Sequence, residues 1–100
     1  MSGQASISTD ILARYAADAA REVEGVRGLA ESAIPGRRGV RVATDEGAVR
    51  VELHLAAEWG AALPELGRGV QERVREYLRG MADVEPAVVD VVVDEIGPRP

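Results

Sequence analysis

The chain contains no cysteine and no phenylalanine, and only one histidine, one tryptophan and two tyrosines among its 100 residues. Without cysteine there are no disulfide staples, no thiolate nucleophile and no cysteine-ligated zinc or iron–sulfur site. Lysine is absent too, so all 12 basic residues are arginine. That excludes Schiff-base chemistry and the phosphate-binding lysine of a Walker loop. A single histidine, His54, cannot build a multi-histidine metal site within one subunit. No run approaches the roughly 18 to 20 apolar residues of a membrane-spanning helix. The opening Met1 to Ser6 lacks the basic stretch and apolar core of a secretory signal. The expectation is a chain that stays in the cytoplasm and does not insert into a membrane by itself.

What is present describes a globular domain: 46% of residues are hydrophobic and 29% charged, a balance unlike that of disordered or low-complexity chains. The length allows one domain, here expected over residues 7–96 between a tail at 1–6 and another at 97–100. The net charge of −5 works against nucleic-acid binding, which draws its affinity from neutralising phosphates. It equally disfavours direct adsorption to an anionic membrane.

Periodicity divides the chain. Ser8 is a good helix N-cap with Asp10 in the first turn, and Ile11, Leu12, Tyr15, Ala16, Ala19, Ala20 and Val23 recur at helical spacing up to a stop at Gly25. Val26 to Ala33 reads as a weak edge strand, and Ile34 to Gly39 as a loop. Val40 to Thr44 alternates, Asp45-Glu46-Gly47 turns the chain, and Val49, Val51, Leu53, Leu55 and Ala57 alternate again, which makes a hairpin with one dry face. Pro64 opens a second helix whose apolar stripe is Leu63, Leu66, Val70, Val74, Tyr77, Leu78 and Met81. Gly67 and Gly69 within its first turns suggest close packing. The stretch Val84 to Ile96, with its β-branched run of Val88, Val89, Val91, Val92, Val93 and Ile96, reads as a final strand, central or covered on both faces. A strand–helix–strand unit within one sheet makes its two strands parallel. The expected fold is therefore α+β: a two-layer sandwich in the order α-β-β-β-α-β, with two helices packed on one face of a small mixed sheet.

Few residues invite a chemical role. Gly36-Arg37-Arg38-Gly39 matches the GxxG loop with which KH domains clamp a nucleic-acid backbone. KH domains place that loop between two helices, whereas this one enters a strand, so RNA binding through Arg37, Arg38 and Arg41 stays the alternative reading. His54 lies on the polar face of the hairpin with no nucleophile at motif spacing. Asp90 and Asp94 read as charges protecting a strand edge. Trp59, at a strand end beside Gly60, is a core or lid residue if buried and an anchor for a partner if exposed. No catalytic constellation, cofactor motif or metal-ligand spacing is present, so the expectation is a protein without enzymatic activity, cofactor or metal.

Taken together, the helix ending in Val23-Glu24-Gly25-Val26, the strands Gly39-Val40-Arg41-Val42 and Val49-Arg50-Val51-Glu52-Leu53-His54-Leu55, the pair Trp59-Gly60, the segment Val70-Gln71-Glu72-Arg73-Val74 and the closing Val89-Asp90-Val91-Val92-Val93 form a pattern. It resembles the alkaline-shock protein family, the envelope or general stress proteins of Gram-positive bacteria. The resemblance covers scaffold positions and carries over no active-site residue. It implies a small non-enzymatic cytoplasmic protein that self-associates and gathers at the inner face of the membrane through a membrane-anchored partner of the same family. Trp59 is the residue expected to anchor such an interaction, in a position where the family often has tyrosine.

Overall fold

The structure, a computed structural model, describes residues 8–30 and 39–98. Its elements are α1 (Thr9–Arg21), β1 (Val26–Leu29), β2 (Val40–Asp45), β3 (Ala48–Glu58), α2 (Leu63–Ala82) and β4 (Val88–Gly97). This is the expected α-β-β-β-α-β order, and the core forms where both helices cover one face of the sheet. The proposed tail at 1–6 and the loop residues Gly36, Arg37 and Arg38 lie outside the described residues.

The Ser8 hydroxyl accepts the Ile11 N–H at 3.2 Å, fixing the start of α1. Its end comes earlier than the pattern suggests. The Glu22 and Val23 N–H groups donate to the carbonyls of Ala19 and Ala20, and such three-residue bonds tighten and close a last turn. The expected stop, Gly25, lies instead in the turn into β1. α1 buries Leu12, Ala16, Ala17, Ala19 and Ala20, small side chains that let the helix lie close to the sheet. α2 buries Leu66, Val70, Val74 and Leu78. Each fully buried branched side chain is worth about 1.5–3 kcal/mol. Across the helix pair, Tyr15 and Tyr77 meet with ring centroids 5.9 Å apart, and Arg73 lies over Tyr77 while holding Glu22 of the α1 C-cap at 2.8 Å. The close packing expected at Gly67 and Gly69 is not found: a Cβ at Gly67 would meet nothing, and one at Gly69 only Val23 at an ordinary 3.5 Å.

β3 is the central strand. β2 pairs with it antiparallel through a two-residue turn, Glu46-Gly47, in which both φ angles are positive (52° and 84°). That twist matches the twist of the flanking strands. β1 also pairs antiparallel with β3, further along it, so β1 and β2 lie end to end against one side of the same strand. The seam falls at His54, whose carbonyl accepts the Ala30 N–H at 2.8 Å and whose own N–H donates to Gly39 at 2.7 Å. Gly39 has φ +76°, and a Cβ there would stand 2.7 Å from the carbonyl oxygens of both Ala30 and His54. Only glycine fits that rung.

β4 runs parallel to β3 on its other side, as the crossover through α2 requires. The expectation of a central or doubly covered strand is corrected here, because among the described residues β4 has one neighbour and forms the edge of the sheet. Val89 is buried, Val91 and Val93 half-buried, and Val92 and Ile96 exposed. A β-branched run signals a strand without saying how many neighbours it has. The strand also continues one residue past Ile96, since the Trp59 N–H donates to the Gly97 carbonyl at 2.9 Å.

Candidate functional site

Two places concentrate polar chemistry, one on the uncovered face of the sheet and one at its end. Alternation along β3 sends Val51, Leu53, Leu55 and Ala57 into the core and leaves Arg50, Glu52 and His54 on the uncovered face. The parallel register sets Glu52 beside Asp90 and His54 beside Val92. A register shift after Leu55 and Val93 makes Asp94 the extra residue of β4. Its carboxylate reaches back to His54 Nδ1 at 2.8 Å, while Glu52 takes Nε2 at 2.6 Å. Both ring nitrogens donate only in the imidazolium form. The hydrogen bond to Glu52 and then that to Asp94 therefore raise the His54 pKa above 6.5, against a weaker opposing effect of desolvation.

That arrangement holds a charge and little else. The two nitrogens face opposite directions, each already engaged by a carboxylate. No group of three or more metal-ligating side chains converges among the described residues. Asp94 is the partner that sequence reading missed. It stands 40 positions from His54, and only the parallel register together with its irregularity brings the two into contact.

The second place lies where β3 gives way to α2. Trp59 is 70% exposed, so it is neither core nor lid. Beside it opens a cleft of about 400 Å³ lined by Val23, Gly25, Gly60, Ala61, Ala62 and Leu66, with Glu24, Glu58 and Glu65 around them. Among the described residues lining it, three are glutamates and none is basic. Glu65 sits in the first turn of α2, where the helix dipole favours a carboxylate. The backbone frame is firm: the Glu58 N–H donates to the Gly25 carbonyl at 2.8 Å, and Trp59 is tied to Gly97.

Of the arginines named for RNA binding, only Arg41 is described. It pairs across the strands with Glu52 and lines a shallow depression with Arg50, Glu52 and Asp90. It also borders a broad groove between α1 and β2, of about 750 Å³, together with Arg14, Arg21 and Asp10. Among the described residues the depression sets two arginines beside two carboxylates, while the groove carries three arginines and one aspartate.

Comparison with known proteins adds the following. The sequence pattern of the alkaline-shock protein 23 family, described by a cell envelope-related function, matches residues 1–98. No curated protein sequence matches the chain significantly. Among solved structures, a MamM CTD variant superposes with a TM-score of 0.59 at 14% identity, covering 88% of this chain and 98% of that one. A cadmium form of MamM CTD gives 0.57 at 15% identity, covering 86% and 94%. A manganese form gives 0.56 at 15%, covering 86% and 96%. At such identities the likeness is one of fold.

Proposed function

The chain belongs to the alkaline-shock protein 23 family, and from that membership we propose that it serves the cell envelope without catalysing a reaction, as an interaction and assembly module in the cytoplasm. In this reading it takes part in the response to envelope or alkaline stress and is held at the inner face of the membrane by an anchored protein of the same family. No helix among the described residues is long and apolar enough to cross a membrane, and in this reading the anchored partner supplies the attachment.

The observation that carries the reading is Trp59, a large aromatic side chain left 70% exposed on a firmly bonded corner. Tryptophan in such a position is the residue type most enriched among interface hot spots. Self-association has a separate physical route, since the outer edges of β4 and of β1 with β2 are unpaired among the described residues, and an open edge is a ready hydrogen-bonding ladder.

The test is fractionation of cells producing the chain, with Trp59→Ala as the comparison. The chain is expected to sediment with the membrane and the variant to move to the soluble fraction while unfolding at an unchanged temperature. A wild-type chain found wholly in the soluble fraction under envelope stress would end the recruitment reading.

A further inference from the structure

We propose that the groove between α1 and β2 takes up an extended acidic segment of another protein as an added strand of the sheet, an inference that stands apart from the docking role given to Trp59. Two observations meet in one place. β2 is an edge of the sheet, pairing only with β3 among the described residues. Along that edge runs the groove of about 750 Å³, bordered by Arg14 and Arg21 of α1 and Arg41 of β2, with an apolar lining from Ala13, Ala17, Leu29, Val40 and Val42. An extended peptide adds to an open strand through main-chain hydrogen bonds, and the side chains around the edge decide which peptide.

The ladder is available on the outer side of β2. Asp45 stands opposite Ala48 across a two-residue turn, and the His54 N–H donates to the Gly39 carbonyl. Antiparallel pairing then directs the backbone groups of Arg41, Ala43 and Asp45 to β3 and those of Val40, Val42 and Thr44 away from it. β2 is also the most regular of the strands at the edges. β1 has four residues and an irregularity between Val26 and Gly28, and β4 carries the extra residue Asp94 together with Asp90 and Glu95. Short length, irregularities and charge are the devices that keep edges from pairing. β2 instead keeps its register with β3 unbroken from Val40 to Asp45.

Charge selects the occupant. Three arginines and one aspartate line the groove in a chain of net charge −5. Arg21 is shared with Asp18 at 3.2 Å, so Arg14 and Arg41 lead, and the Glu52 across from Arg41 is bound by His54 at 2.6 Å. Arginine meets carboxylates with a matching fork of donors. The segments outside the described residues do not supply such a strand, since 1–7 holds no carboxylate and 31–38 one glutamate against two arginines. β4 of a second copy is acidic but arrives with its α2, whose Gln71 holds the Val89 carbonyl, where α1 already flanks the edge. No aromatic side chain stands in the described lining, which leaves single-stranded nucleic acid without a stacking platform.

The test titrates the whole protein against fluorescent peptides of about eight residues, a strand's length, built from glutamate pairs and threonine pairs. Neighbouring residues of a strand face opposite sides, so each glutamate pair offers one carboxylate towards α1 and one towards Arg41. Saturable binding is expected, with amide chemical-shift changes gathered on β2 and α1. Glutamine for glutamate in the peptide, or Arg14→Gln combined with Arg41→Gln, should each weaken it about tenfold. Raising salt from about 50 to 300 mM should weaken it too. N-methyl groups along the peptide backbone keep the side chains and remove the ladder donors, and should abolish binding. Both arginines are exposed, so the double variant should unfold at an unchanged temperature.

Equal binding of the glutamine or the N-methylated peptide, or undiminished binding by the double arginine variant, would overturn the inference. Equal displacement of the peptide by a short single-stranded oligonucleotide does the same, because the groove then takes any polyanion. Shift changes that gather on β4, or that follow protein concentration without peptide, assign the edge to a second copy and also end it.

Discussion

The two faces of β3 belong to one strand and are built on different principles. On the covered face Val51, Leu53, Leu55 and Ala57 are at most 1% exposed and lock into both helices. On the uncovered face Arg50, Glu52 and His54 remain partly or fully in water, and their order comes from charge. The first face has energy to spare because apolar burial is non-directional and additive. The second has geometry without much energy, since ion pairs near water are worth about 0–1 kcal/mol. Stability and surface chemistry are thus separated by a single pleat, and the chain can change one with little effect on the other.

The separation can be broken most forcefully at Leu53. Leu53→Ala removes a side chain that is 0% exposed and is expected to cost about 2–5 kcal/mol by chemical denaturation. Val92→Thr, next to His54 on the other face, should stay within about 0.5 kcal/mol. Equal costs would mean that something covers the uncovered face in solution.

A smaller effect is expected where both faces share a hinge point. Gly39→Ala sets a Cβ against the carbonyls of Ala30 and His54 and should cost about 1–3 kcal/mol. Because that rung carries His54, chemical-shift changes should reach the imidazole as well as the core.

The finest distinction concerns pH. His54 has its pKa raised in the folded state by Glu52 and Asp94. The stability it contributes is fully present below its unfolded value of 6.5 and is lost as pH rises through the higher folded value. The penalty of His54→Gln should be at most about 1 kcal/mol, largest below the unfolded value of 6.5, and should vanish in alkaline solution. Thermal unfolding of both proteins across pH reads it, and a penalty that grows with pH would reverse the assignment.

Much of this was legible in the amino-acid order. Period-two alternation at Val49 to Ala57 identified the covered face of β3, helical spacing found both helices, and Asp45-Glu46-Gly47 marked the turn. Trp59 could be named but not placed, because its exposure depends on where α1, β3 and α2 end relative to one another. The neighbours of β4 were hidden for a related reason: a run of valines is compatible with a centre or an edge, and only the chain path decides. Asp94 was seen as an edge charge, yet its contact with His54 rests on a one-residue irregularity that no local pattern announces. The three glutamates of the cleft come from three separate segments, so no motif unites them.

The seam at His54 has a consequence for how this protein can vary. Ala30 and Gly39 bond the carbonyl and the N–H of the same residue of β3. β1 and β2 thus behave as one interrupted strand whose two pieces take their register from a single residue. A change that moves the backbone of that residue would disturb both pieces at once, whereas a change to its outward-facing side chain would leave the rungs in place.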